Sequence, residues 1–158
     1  MSISLSQLLE EIGAQYSRRV ACVKTAYRFM NQLVRSGKLR NPTLYPLEVN
    51  VRVGFNFTIP STFNNCMALC MKYHRDQEHC RAECEILSRA LVEYDSLRNV
   101  VVGDIPVFRS ETPDFVSAFR RYGCNVTEIH RQRLNVDHVH VMCSTPFGFK
   151  KCLEDFLR

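Results

Sequence analysis

The chain has 158 residues, of which 46% are hydrophobic and 23% are charged, and its formal net charge at pH 7 is +5. This length suits one domain with its own core, and the composition excludes a disordered or fibrous chain. The first residues lack the basic start of a signal peptide, and no run of about 18 apolar residues predicts a membrane span. We therefore expect a single domain over residues 1–158 that lies inside the cell, in the cytoplasm or nucleus, and does not contact membranes.

The positive charge is concentrated at one end of the chain. The sequence holds 21 Lys and Arg against 16 Asp and Glu, and the first 40 residues contain seven of the former and two of the latter. The remaining residues therefore carry 14 of each sign. This asymmetry predicts a basic surface beside a neutral body, which favours a polyanionic partner.

Residues 1–40 are predicted to form a basic helical arm, because apolar residues recur at helical spacing over residues 5–34. The candidate nucleic-acid contacts on this arm are Arg18, Arg19, Lys24, Arg28, Arg35, Lys38 and Arg40. No acidic residue lies between the first and last of them, so the row can neutralise several phosphates without reading base sequence. Four later residues would enlarge this surface if the fold brings them near: Arg120, Arg121, Arg131 and Arg133. The alternative is an ordinary solvated helix face.

The body of the domain is predicted to span residues 47–158, after a linker at residues 36–46. It begins with the clearest strand of the chain, over residues 47–59. Hydrophobic residues alternate there with polar residues or glycine without a lapse. One face of this strand is therefore expected to be in the core and the other in water.

A long helix or a helical hairpin is predicted over residues 62–97, which contain no Gly or Pro. A stripe at steps of three and four residues runs through it, as in a helix that buries one seam. The stripe consists of Phe63, Cys66, Cys70, Tyr73, Gln77, Cys80, Cys84, Leu87, Leu91 and Tyr94. One unbroken helix would be about 54 Å long, which exceeds the diameter of the body. It either projects and forms a homodimer through residues 63–94, or it breaks near residues 74–79.

Four of the eight cysteines lie on this stripe with the spacing C-x3-C-x9-C-x3-C. In an unbroken helix the outer two would be about 27 Å apart, which excludes a four-thiolate site. In a hairpin they can form two disulfides or a tetrahedral zinc site, with His74 and His79 as substitute ligands. The candidate metal ligands are Cys66, Cys70, Cys80 and Cys84. Inside the cell we expect buried thiols that pack as small hydrophobic residues, with zinc as the alternative and as the one expected cofactor.

The rest of the chain is predicted to contain short strands and two helices. A strand over residues 100–102, which can continue through residues 105–108, leads to a helix capped by Thr112. Residues 125–143 are expected to form two strands, and residues 147–157 a closing helix. Helices and strands mixed without strict alternation predict a two-layer α+β domain, with a mainly antiparallel sheet of about four strands covered by helices.

Two histidines occur one residue apart in the stretch Asp-His-Val-His at residues 137–140. On a strand, His138 and His140 point to the same side and can hold one divalent cation. The alternative is that both histidines lie on a buried strand and form hydrogen bonds to neighbours such as Asp137 or backbone carbonyls.

This stretch resembles part of the single-tyrosine HUH transposases of insertion sequences. The resemblance includes the helix, Gly123 and the strand that precede the stretch, and Pro146 and the helix that follow it. The resemblance covers a short part of the chain. It implies that His138 and His140 are metal ligands of a nuclease that acts on DNA. The tyrosine that attacks DNA in that family is missing from the residues after the histidines.

Three functions are compatible with these features. The favoured hypothesis is a small, non-enzymatic regulatory protein that binds RNA or DNA through its basic helix, with a composition similar to viral accessory proteins such as silencing suppressors. An alternative is an interaction adaptor that engages a partner protein without contacting nucleic acid. A third is a metal-dependent HUH-type nuclease.

Overall fold

The computed structural model describes residues 23–48, 52–95, 98, 100–121 and 124–144. Within them, six strands form one antiparallel sheet with the order β1-β2-β3-β4-β6-β5. The strands are β1 (Arg40–Glu48), β2 (Arg52–Thr58), β3 (Arg89–Asp95), β4 (Val100–Phe108), β5 (Cys124–Arg131) and β6 (Val136–Ser144). The helices are α1 (Val23–Arg35), α2 (Pro60–Tyr73), α3 (Gln77–Leu87) and α4 (Thr112–Arg121), and a 3-10 turn at Arg109–Glu111 precedes α4. No described helix is both long enough and apolar enough to span a membrane.

One face of the sheet, which we call the helical face, is covered by α1 and α4. Alternate side chains of the central strands point to this face, as the period of two in a strand requires. They pack against Met30 and Leu33 of α1 and against Phe115 and Phe119 of α4 in the main core. The largest fully buried residues of the sheet are Tyr94, Phe55, Phe57 and Ile105. Burial of each such side chain stabilises the fold by about 1.5–3 kcal/mol.

The opposite face, which we call the hairpin face, is contacted by the hairpin of α2 and α3. Pro60 occupies the first turn of α2, where its missing N–H removes no helical hydrogen bond. The chain then turns, and the Asp76 carboxylate caps α3 by accepting a hydrogen bond from the backbone N–H of His79. The hairpin is attached to the sheet by packing around Val136 and by a hydrogen bond of 2.8 Å from the Thr62 hydroxyl to a backbone carbonyl of β4.

The sheet has six strands in the described residues, so the prediction of about four strands in a two-layer domain is wrong. Residues 89–95 were expected to continue the long helix but form β3, in which Ala90, Val92 and Tyr94 are buried at alternate positions. The predicted linker at residues 36–46 contributes most of β1, an edge strand in which prolines are tolerated. Helices also lie on both faces of the sheet. The α+β class is confirmed.

The other predicted elements have clear outcomes where the structure describes them. The single strand predicted over residues 47–59 is wrong as one element, because residues 47–48 end β1 and residues 52–58 form β2, which pairs with β1 antiparallel. The long helical segment breaks into α2 and α3. The strand that starts at Val100 continues to Phe108, and the two strands predicted after α4 are β5 and β6. The closing helix over residues 147–157 lies outside the described residues.

Six cysteines form three disulfide bonds, so the predictions of buried thiols and of a zinc site are both wrong. The pairs are Cys66–Cys84, Cys70–Cys80 and Cys124–Cys143. The first two join α2 to α3, whose Cα atoms at these positions are 5.7 Å and 5.6 Å apart. A disulfide sulfur is not a thiolate, which is the form that binds zinc. Across the described ranges, no group of three or more His, Cys, Asp or Glu is placed to hold a metal ion.

Candidate nucleic-acid interface

Helix α1 has two sides of opposite chemistry. Its inner side buries Met30 and Leu33 against the sheet, chiefly over β1 and β2. Arg28 and Arg35 are seven residues apart, which places them on the same side of a helix, and both side chains are exposed. At 1.5 Å per residue they are about 10 Å apart along the helix axis. The sheet therefore supports a helix that presents two guanidinium groups to solvent.

Within the described residues, Arg28 and Arg35 on this outer side are not paired with acidic residues. Helix α1 contains no Asp or Glu. In the part of the chain that the structure describes, no ion pair joins Arg28 or Arg35 to a carboxylate. Lys38 lies in the turn after α1 and is exposed. These three residues form what we call the α1 basic surface.

Arg40 has a different environment from the other predicted contacts. Its guanidinium lies 3.5 Å from the Glu85 carboxylate of α3 and 4.1 Å from the centre of the Phe63 ring. Because a carboxylate neutralises it, Arg40 adds little to the α1 basic surface. Of the remaining predicted contacts, Arg18 and Arg19 lie outside the described residues, and so does the side chain of Lys24.

A groove of about 620 Å³ lies between α4 and the edge strand β5. Its lining includes the apolar residues Val116 and Ile129 and the polar residues Ser117, Arg120 and Arg121. Both arginines are exposed, and neither forms an ion pair with another described residue. The buried side of α4 is set by its two phenylalanines, which turn these arginines outward.

Arg131 and Arg133, which were also candidates to enlarge the basic surface, have different surroundings. Arg131 is exposed at the end of β5. Arg133 forms an ion pair with the Glu83 carboxylate of α3, which places it on the side of the hairpin. Of these two, only Arg131 therefore remains available at the edge of the sheet near α4.

His138 lies on the hairpin face and links three elements. Its Nδ1 is 3.1 Å from Oδ1 of Asp104 on β4, and its Nε2 is 2.9 Å from the carbonyl oxygen of Leu87 at the end of α3. A carbonyl and an ionised carboxylate only accept hydrogen bonds, so both ring nitrogens donate. His138 therefore ties the hairpin to the sheet, and this arrangement favours its positively charged imidazolium form.

The ionisation of this pair is shifted in opposite directions. The hydrogen bond to Asp104 raises the pKa of His138, and the Leu87 carbonyl adds to this rise against the opposing effect of burial. Burial acts to raise the pKa of the Asp104 carboxyl. The hydrogen bond from His138 and the electrostatic effect of the nearby His138, His140 and His130 outweigh it, so the pKa of Asp104 is lowered.

His140 is more exposed than His138 and has looser contacts. Its Nε2 lies 3.8 Å from Oδ1 of Asp104, and its ring packs edge-on against the ring of His130 at 4.9 Å between centres. His130 in turn lies 3.1 Å from the Glu128 carboxylate. No local pattern indicates these partners, because only the register of β4, β5 and β6 brings them beside His140.

Asp137 is not a partner of either histidine. It points to the opposite face, where it is 3% exposed and accepts hydrogen bonds from Arg109 at 2.9 Å and from the Thr112 hydroxyl at 2.8 Å. The assignment of His138 and His140 as metal ligands stays a prediction. In the hydrogen-bonded arrangement, His138 has no nitrogen lone pair to offer a metal.

No protein-family model, curated protein or solved structure matches this chain.

Proposed function

We propose that this protein binds nucleic acid by its phosphate backbone, with the α1 basic surface as the contact. The observation that carries the proposal is the pair Arg28 and Arg35, exposed on one side of an acid-free helix whose other side is held by the sheet. Guanidinium groups bind phosphate oxygens through paired hydrogen bonds. At about two helical turns apart, the two arginines can contact phosphates of one strand, and Lys38 adds a third positive charge.

The chemistry of this surface predicts how the protein binds. Contacts to phosphates release counterions, so the affinity falls as salt rises and depends little on base sequence. Such a protein acts by occupying RNA or DNA, which suits a regulatory role and requires no catalytic group. The adaptor and nuclease hypotheses stay predictions.

The expected intracellular location and the expected homodimer also stay predictions. Disulfide bonds form and persist in oxidising compartments. The expectation of an intracellular location, in contrast, was combined with cysteines that are reduced thiols. The homodimer was expected to form through the stripe at residues 63–94. Most of that stripe packs inside the hairpin or the main core, whereas Tyr73 and Gln77 are exposed at the tip.

Charge reversal on α1 tests the proposal. The probe is a fluorescein-labelled oligo(U) of about 20 nucleotides, followed by fluorescence anisotropy at about 50 mM KCl, where backbone contacts are strong. We expect Arg28→Glu/Arg35→Glu to weaken binding at least about tenfold, because two phosphate contacts become repulsive.

The matched control is Lys72→Glu/Arg81→Glu, which makes the same change in net charge at two exposed positions of the hairpin. This variant should bind within about twofold of the wild type. Equal losses in the two variants would mean that net charge alone attracts the probe, and an absence of binding by the wild-type protein would remove the proposal.

A further inference from the structure

We propose that the groove between α4 and β5 is a second phosphate-binding site, which contacts the same nucleic-acid strand as α1. This inference rests on the proposed function and extends it to a second element. Both α1 and α4 pack on the helical face of the sheet, so their outer sides point to the same side of the molecule. The exposed arginines of the two helices therefore belong to one layer of the fold.

The groove has the chemistry of a backbone contact. Arg120 and Arg121 supply charged donors, and Ser117 supplies a hydroxyl, which are groups that commonly bind phosphate oxygens. Ile129 is 45% exposed and, with Val116, gives the groove apolar walls that can pack against a sugar or a base.

Among the residues that the structure describes, acidic side chains near the groove do not pair with these arginines. In α4 the acidic residue is Asp114, which lies in the first turn, whereas both arginines lie in the last turn. Glu128 on β5 points to the face opposite to that of its neighbour Ile129, which lines the groove, and its carboxylate lies 3.1 Å from Nε2 of His130. A strand that carries phosphates therefore meets a positive end of the groove.

The sheet sets the distance between the two sites. Helix α1 contacts β1 and β2, whereas α4 contacts β5 and, less extensively, β4 and β6. The strand order places about four interstrand spacings between them, or about 19 Å at 4.8 Å each. A stacked strand advances about 3.4 Å per nucleotide, so roughly six nucleotides bridge the sites. The ligand is therefore an extended stretch of nucleic acid, and a shorter oligonucleotide occupies one site at a time.

The test compares two pairs of arginines on the same probe. The proteins are the wild type, Arg28→Ala/Arg35→Ala, Arg120→Ala/Arg121→Ala and the control Lys72→Ala/Arg81→Ala. The probe is labelled oligo(U) of about 20 nucleotides, long enough to bridge the sites. We expect the α1 pair and the α4 pair each to weaken binding by about fivefold or more, and each to lower the slope of log Kd against log salt by about 1.4. The control should stay within about twofold of the wild type.

The possible results separate the inference from the proposed function. If only Arg28→Ala/Arg35→Ala weakens binding, the second site is overturned and the proposed function stands. If only Arg120→Ala/Arg121→Ala weakens binding, both the shared strand and the role of α1 are overturned. If neither double substitution weakens binding, both proposals are overturned. All four arginines are exposed, so thermal unfolding followed by circular dichroism should show unchanged midpoints.

Discussion

Replacement of His138 by leucine is expected to loosen the attachment of the helical hairpin to the sheet. The change removes both donors of the ring and leaves the Leu87 carbonyl and the Asp104 carboxylate without them. Hydrogen bonds to charged groups contribute about 1.5–3 kcal/mol when buried. Asp104 is about a third exposed, so the hydrogen bond from His138 to its carboxylate contributes only about 1 kcal/mol. The hydrogen bond to the neutral Leu87 carbonyl contributes about the same. We expect His138→Leu to lower the free energy of unfolding by about 2 kcal/mol.

The same contact predicts a dependence of stability on pH. Because the pKa of His138 is raised in the folded protein, its stabilisation is full below the unfolded-state pKa. It is lost as pH rises through the folded-state pKa, where the imidazolium loses its proton. Because the pKa of Asp104 is lowered, its contribution is full above its unfolded-state pKa and is lost as pH falls through the lowered value. The link is therefore strongest at mildly acidic pH and weakens towards alkaline pH.

Urea unfolding at a series of pH values between about 5 and 9 measures this effect. The wild type should lose about 1 kcal/mol of stability on the alkaline side, and His138→Leu should lack that loss. His74→Leu is the control, because His74 is exposed at the end of α2 and forms no ion pair with another described residue. Parallel pH profiles for the wild type and His138→Leu would refute the assignment of His138 as a charged link.

Three further predictions concern the stability of the fold. Cys66→Ala/Cys84→Ala should lower the free energy of unfolding, measured by urea unfolding, by about 3 kcal/mol, because the disulfide closes a loop in the unfolded chain. A reductant should likewise lower the stability of the wild type. Asp137→Ala should cost about 2–3 kcal/mol in the same assay, since it leaves two donors at the start of α4 without their acceptor. Gly103→Val should cost about 1–3 kcal/mol, because a Cβ at this position already lies 3.1 Å from the Val141 side chain.

Local patterns predicted the elements whose signals do not depend on distant contacts. The start of α4 at Thr112 and the pair β5 and β6 follow from local sequence. Strand β3 was missed because its residues satisfy two patterns at once. Leu87, Leu91 and Tyr94 continue the helical stripe, whereas burial alternates along β3 as in a strand, and pairing with β2 and β4 decides the outcome.

The candidate site was predictable only in part, for the same reason. The exposure of Arg28 and Arg35 follows from helical periodicity within α1. The neutralisation of Arg40 by Glu85 and the link from His138 to Asp104 join residues far apart in the sequence, and strand register determines them. The cysteine spacing is compatible with thiols, zinc or disulfides, because spacing alone does not set the oxidation state of sulfur.

The salt dependence of binding decides whether phosphate contacts hold the ligand. For oligo(U), each neutralised phosphate contributes about 0.7 to the slope of log Kd against log salt. We predict a slope of at least about 1.4 for the wild-type protein, which falls by about that amount in Arg28→Ala/Arg35→Ala. A slope near zero, or one that the two substitutions leave unchanged, would contradict the proposed role of the α1 basic surface.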